Sequence, residues 1–233
     1  MRAEAFPAAP AAVVRAAGWT DEEVVARVLA GEPALFEVLM RRHNERAYRV
    51  ARAILRGEDE VDDVLQDAYL AAYRHLAAFE RRARFSTWLT RIVANHALDQ
   101  RRRRARSVAF DPAGLDGSLA LAVAGSDPGD PEQQRTAREL AQRLERAIDA
   151  LPEGYRTVYV LRQVQGLDTR DAAECLGIEE ATVKTRLHRA RALLREAIGR
   201  DPDAAAGRAF PFGGDRCDRL VAAVLLRLGR AGA

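Results

Sequence analysis

The stretch 178–200, IEEATVKTRLHRARALLREAIGR, leaves this chain the fewest options. Val183, Leu187, Ala190 and Leu194 recur at i, i+4, i+7 and i+11, which sets one apolar stripe along a helix. The opposite face carries Lys184, Thr185, His188, Arg189 and Arg195. Immediately upstream, 168–176 reads as a short helix closed by Gly177, with Asp168 placed to cap it and Asp171 three residues on. Ala172, Ala173 and Leu176 are small or apolar, as a tight corner between two helices requires. Short helix, glycine turn and basic helix together predict a helix-turn-helix, whose second helix enters a DNA major groove. Thr182 to Arg189 then faces the groove. Lys184 and Arg189 reach guanine or phosphate, Thr185 and His188 make shorter base contacts, and Thr182 and Arg186 complete the face. Arg162 and Arg170 lie on the preceding segments and are phosphate candidates.

The remaining sequence is helical as well. Its apolar residues are mostly Ala, Leu and Val, aromatics are only 6%, and no stretch alternates as a strand would. Thr20-Asp-Glu-Glu23 has the spacing of a capping box, and that first helix stops at Gly31. Pro33 suits the start of a second helix running to Leu55. A third spans about 60–76, with Val61, Val64, Leu65, Ala68, Tyr69 and Ala72 inward. A fourth spans about 86–104, with Phe85, Trp88, Leu89, Ile92 and Val93 at helical spacing. From 105 to 131 prolines and glycines break every pattern. The expectation is an all-α chain of two helical domains, 19–104 and 132–199, joined by the flexible linker 105–131. Residues 1–18 form a leader and 200–233 a C-terminal helical extension. In that extension Leu220, Val221, Val224, Leu225 and Leu228 make an apolar stripe that must dock on the second domain, a partner or another copy.

Charge is distributed rather than large. The net charge is only +3, from 36 Arg and the single Lys184 against 34 acids. Residues 58–67 hold Glu58, Asp59, Glu60, Asp62, Asp63 and Asp67 with no base, whereas 81–106 hold nine Arg and one acid, Asp99. One acidic and one basic patch imply two different partners. On the fourth helix Arg91, Asn95, Asp99 and Arg102 flank the core, so Asn95 and Asp99 are candidates for base edges. Arg91 and Arg101 to Arg104 are candidates for phosphates. Cys175 and Cys217 stand alone, with no CxxC and no His at ligand spacing, which fits neither a disulfide nor a metal and places the chain in a reducing cytoplasm. No apolar run is long enough to span a membrane, and the Ala/Pro-rich start lacks a signal-peptide core. No phosphate loop, nucleophile constellation or metal cluster is present, so no catalytic residue, cofactor or enzyme activity is expected.

Two segments carry a family resemblance. DDVLQDAYLAAYRHL followed by FSTWLTRIVANHALDQRRR resembles the sigma-two domain of the sigma-70 family. LPEGYRTVYVLRQVQGLDTRDAAECLGIEEATVKTRLHRARALLRE resembles its sigma-four domain. Having these two alone, with a short linker, is similar to the extracytoplasmic-function (ECF) group of sigma factors. The resemblance implies a factor that binds core RNA polymerase and carries it to promoter DNA. Asp62, Asp63, Gln66 and Asp67 match positions that dock on the clamp of the largest subunit, and the flap of the second-largest subunit is a further implied contact. The helix 88–104 would read the −10 element through Phe85, Trp88, Arg91, Asn95, Asp99, Arg102 and Arg103. The loop 77–85 would take a flipped-out base of the opened strand. The helix-turn-helix, with Arg162, Arg170, Thr182, Lys184, Thr185, Arg186, His188 and Arg189, would read the −35 duplex. An anti-sigma protein is the implied regulator. The alternative is a free-standing helix-turn-helix regulator, for which the acidic helix and the separate Arg-rich helix have no use.

Overall fold

The computed structural model describes residues 15–16, 18–55, 57–80, 83–108, 131–199 and 201–231. Most of the expected leader and linker, together with Arg81 and Arg82 of the 77–85 loop, lies outside the described residues. Every regular element described is helical. Helix α1 is Asp21–Leu29, α2 Phe36–Ile54, α3 Glu58–Arg74 and α4 Phe85–Val108. Then follow α5 Pro131–Ala150, α6 Glu153–Tyr159, α7 Thr169–Leu176, α8 Glu180–Ile198 and α9 Asp215–Ala231. Among the described residues no helix is long and apolar enough to cross a membrane.

Local chemistry explains the boundaries. The Thr20 hydroxyl accepts from the Glu23 amide at 3.2 Å while Glu23 reaches back to the Thr20 amide at 2.7 Å, the reciprocal capping box. Gly31 ends α1 with φ +102°, a value costly for any residue with a Cβ. Helix α4 continues past its expected end to Val108, because arginine and alanine are good helix formers and no breaker intervenes. The segment expected as one helix over 155–164 is instead α6 followed by a π-helical turn, Val160–Val164, in which the Gln165 amide bonds the Val160 carbonyl at 2.9 Å.

Helices α2, α3 and α4 pack on one another around Phe36, Leu39, Tyr69, Leu65, Leu89 and Val93, all within 1% of full burial. Helices α5 to α8 make a second bundle around Leu144, Ile148, Val158, Leu161 and Leu194, each fully buried. The bundles are joined by polar grips as well as apolar contact. The guanidinium of Arg156, 2% exposed, donates to the Ala53 carbonyl at 2.7 Å, and the Thr157 hydroxyl donates to it at 3.3 Å. That carbonyl is one of the four that the end of α2 cannot satisfy internally. Arg52 forks onto Asp149 at 3.0 and 2.8 Å.

The C-terminal stripe has a host that the sequence did not point to. Leu220, Val221 and Val224 are buried, and α9 packs on α3 and α2 of the first bundle rather than on the second. The segment leading to it, with its 3₁₀ turn Pro202–Arg208, is wedged between the bundles. There Arg49 donates to the carbonyls of Gly207 at 2.9 Å and Phe210 at 3.2 Å, and the Phe210 amide donates to Glu145 at 2.7 Å. Burial pushes the Glu145 carboxyl above its ordinary value.

Candidate nucleic-acid and partner-binding surfaces

The helix-turn-helix corner forms as its residues dictate. The Asp168 carboxylate accepts from the Asp171 amide at 2.7 Å and caps α7. Gly177 turns the chain with φ +62°, and the Ile178 amide returns to the Ala173 carbonyl at 3.1 Å. The whole stripe Val183, Leu187, Ala190 and Leu194 is buried against α5 and α6. With that face held, Lys184, Thr185, His188 and Arg189 are exposed together, and Thr182 and Arg186 are half-buried beside them. Arg189 donates to the Tyr155 hydroxyl at 3.3 Å, and Arg186 lies over Gly154, where a Cβ would sit 3.2 Å from its guanidinium. Thr185 bonds back to the Ala181 carbonyl at 2.9 Å. Arg170 is exposed, 3.7 Å from Glu174. Arg162 is different. It is half-buried and donates to the Leu167 carbonyl, which ties the π segment to the turn before α7.

The second basic surface runs along α4. Phe85 is 1% exposed and sits in an aromatic cluster, 5.6 Å from both Phe79 and Trp88 between ring centroids and 5.3 Å from His43. It is a core residue, while Trp88 is partly exposed at the edge of the cluster. Asn95, Asp99, Arg102 and Arg103 are exposed, and Arg102 pairs with Asp99 at 3.2 Å. Arg91 is engaged across the bundles. Its guanidinium pairs with Asp171 at 3.2 Å and with Glu174, both on the first helix of the helix-turn-helix. Further along α4, Arg101 pairs with Glu153 at the start of α6. Cys175 is buried beside Arg91, and burial pushes its thiol up to about 12.

The acidic surface is α3. Asp63 is exposed and Gln66 half-buried. Asp62 is bonded by Arg216 of α9 at 2.8 Å, and Arg216 also bonds Glu58. Arg227 of α9 pairs with Asp67 at 3.1 Å. Arg216 sits over the Tyr48 ring at 4.6 Å, and Tyr48 stacks on Phe212 at 4.8 Å. Burial, and then the Glu58 charge, raises the Tyr48 phenol to about 12. A cleft of about 340 Å³ separates this surface from α4, lined among others by Asp67, Arg74, His96, Asp99, Arg103 and Arg227. Reasoning from sequence did not single out Arg216 and Arg227. The available signal was their spacing, eleven residues apart on one side of an apolar stripe, facing a patch of opposite charge.

Comparison with known proteins gives the surfaces a context. The family pattern described as Sigma-70 region 2 matches residues 39–107, and Sigma-70, region 4 matches 141–194. The ECF RNA polymerase sigma factor SigM of Mycobacterium tuberculosis is 38% identical over 181 residues, 77% of this chain and 85% of the relative. The ECF RNA polymerase sigma factor SigW of Bacillus subtilis is 31% identical over 176 residues, 75% of this chain and 94% of that one. Among solved structures, CnrH in complex with the cytosolic domain of CnrY is 29% identical with a TM-score of 0.50, covering 77% of this chain and 97% of that chain. The fold also matches RpoE of Bartonella quintana, solved with the anti-sigma factor NepR, at TM-score 0.56 and 24% identity over 77% of this chain and 99% of that chain.

Proposed function

The chain belongs to the sigma-70 family of RNA polymerase sigma factors, in its ECF group, and from that membership we propose how its own residues divide the work. A sigma factor binds core RNA polymerase, directs it to promoter DNA and is not itself an enzyme. Here the exposed face of α8, with Lys184 and Arg189 at its centre and Thr182, Thr185, Arg186 and His188 around them, reads the −35 duplex. Arg170 and Arg162 hold upstream phosphates, and Arg162 also ties the turn before α7 through its bond to Leu167. The α4 face reads the −10 element, with Asn95 and Asp99 toward base edges and Arg91, Arg102 and Arg103 toward the backbone of the opened strand. Trp88 stands at the edge of the strand-capturing loop, and Phe85 supports it from the core. Asp62, Asp63, Gln66 and Asp67 dock on the polymerase clamp. The second bundle reaches the flap, and the region-4 match supports that contact. Residues 19–104 and 132–199 are the two working domains, 105–131 the linker, with 1–18 and 200–233 as flanking segments. An anti-sigma protein as regulator and a cytoplasmic setting complete the reading, and ECF membership supports both.

The observation that carries this assignment is the separation of three surfaces on three helices. One basic face on α8 is held outward by its buried stripe, a second Arg-rich face lies on α4, and an acidic face lies on α3. A duplex-binding repressor has a role for the first alone. The test is in vitro transcription with purified core polymerase on fragments selected by mapping transcript starts after overexpression. Promoter-specific transcripts that require this protein, and that weaken when the −35 block is scrambled, are expected. Duplex binding without any specific transcript would instead establish the free-standing regulator.

A further inference from the structure

We infer that α9 is a built-in occupant of the polymerase-docking face of α3, a tethered competitor that core polymerase must displace. This rests on the docking role proposed above for Asp62, Asp63, Gln66 and Asp67. Two of those four side chains are taken by α9: Arg216 holds Asp62 at 2.8 Å and Arg227 holds Asp67 at 3.1 Å. Arg216 and Arg227 are eleven residues apart, about three turns. The earlier arginine pairs with the earlier acid, so the two pairs hold α9 to α3 at two separate points. Seating is not by charge alone. Leu220, Val221 and Val224 are buried, Arg41 of α2 pairs with Asp218 at 2.6 Å, and the Asn44 amide donates to the Cys217 sulfur at 3.0 Å. The chain preceding α9 is fastened separately, through Arg49 to Gly207 and Phe210 and through the Phe212–Tyr48 stack. Release of α9 therefore leaves its tether in place, at high effective concentration for rebinding.

The occupant is chemically matched to a displaceable role. The Arg227–Asp67 pair is about half exposed on both sides, with side-chain exposures of 47% and 57%. Exposed pairs of that kind contribute little on their own and are screened by salt. Asp63, which no described pair with α9 covers, is exposed and remains available for first contact. A docking face that is open in only a fraction of molecules has an apparent affinity lowered by that fraction, so loosening α9 tightens polymerase binding without adding any contact.

The test locks and loosens α9 in the full chain. With Cys175→Ala to leave one native thiol, Asn44→Cys places a second thiol beside Cys217. Oxidation closes a bridge between α2 and α9. The oxidised protein is expected to bind core polymerase at least about tenfold more weakly than the same protein reduced. Conversely, Arg216→Ala with Arg227→Ala is expected to bind several-fold more tightly than wild type. Equal affinity of oxidised and reduced protein overturns the proposal, as does a thiol pair that will not close. Wild-type affinity in the double arginine variant does the same. Asp63→Arg in the reduced background separates the two readings. If it abolishes binding while the lock has no effect, the docking face stands and α9 is only a buttress. If it binds normally, the docking face itself is misplaced and the inference falls with it.

Discussion

Lys184 and Arg189 owe their role to what lies behind them. Their side chains are exposed because Val183, Leu187, Ala190 and Leu194 are not. Each removes about one counterion's worth of charge when truncated, so Lys184→Ala with Arg189→Ala should weaken binding to the −35 duplex and lower the slope of log affinity against log salt by about 2. A titration of labelled duplex at several salt concentrations reads both, and an unchanged slope would remove these residues from the phosphate surface. Asp21 makes a second residue-scale case. A hydrogen bond from His43 at 2.7 Å, and next the Arg42 guanidinium at 3.0 Å, hold its carboxyl below the ordinary value despite partial burial. Its folded pKa is depressed, so its contribution is complete above the unfolded value near 3.8 and disappears as pH falls through the folded one. Asp21→Asn should cost about 1 kcal/mol at neutral pH, with the gap to wild type closing below about pH 4 in thermal melts. The arginines also show where residue-level reading stops. Arg162 has the spacing of a phosphate contact, and its guanidinium also bonds the Leu167 carbonyl beside a π turn, a contact that spacing does not reveal.

Among the elements, the helix-turn-helix was fully legible. Its cap, its glycine and its stripe are local features, and all form within twenty-odd residues of one another. Gly177 adopts φ +62°, and nothing lies within 4 Å of where a Cβ would stand. Gly177→Ala therefore meets no clash, and its cost is backbone strain, about 1 kcal/mol. The expected outcome is a few degrees' drop in melting temperature with the −35 specificity retained. Altered base preference would show that the corner sets the angle of α8 as well as its stability. Helix α9 was legible as a helix but not as a partner. Amphipathic period reports that a face is buried and is silent about what buries it. Leu220, Val221 and Val224 are buried where α9 packs on α3 and α2, and beside that apolar contact Arg216 and Arg227 meet Glu58, Asp62 and Asp67, a complementarity between segments some 160 residues apart.

At the scale of the molecule, the two surfaces proposed to read DNA are joined in this arrangement. Arg91 of α4 pairs with Asp171 and Glu174 of the helix-turn-helix, Arg101 pairs with Glu153, and Arg52 forks onto Asp149. Replacing Arg52, Arg91 and Arg101 by Ala together should raise the radius of gyration in small-angle scattering relative to wild type and speed amide exchange at the α4–α7 contact. An unchanged scattering curve would show that apolar contact and Arg156 on Ala53 suffice to hold the bundles. What the sequence by itself determined is whatever depends on neighbours in the chain: nine helices' worth of period and punctuation among the described residues, the all-helical class, the basic and acidic faces, and the family. What only the tertiary structure decided is which faces are free. Long-range pairing between Arg and carboxylate is degenerate in a chain with 36 arginines and 34 acids, so composition cannot say which pairs form. The packing of α9 and of the second bundle selects them, by bringing a few of those charges within hydrogen-bonding distance on surfaces already desolvated by the apolar contacts beside them.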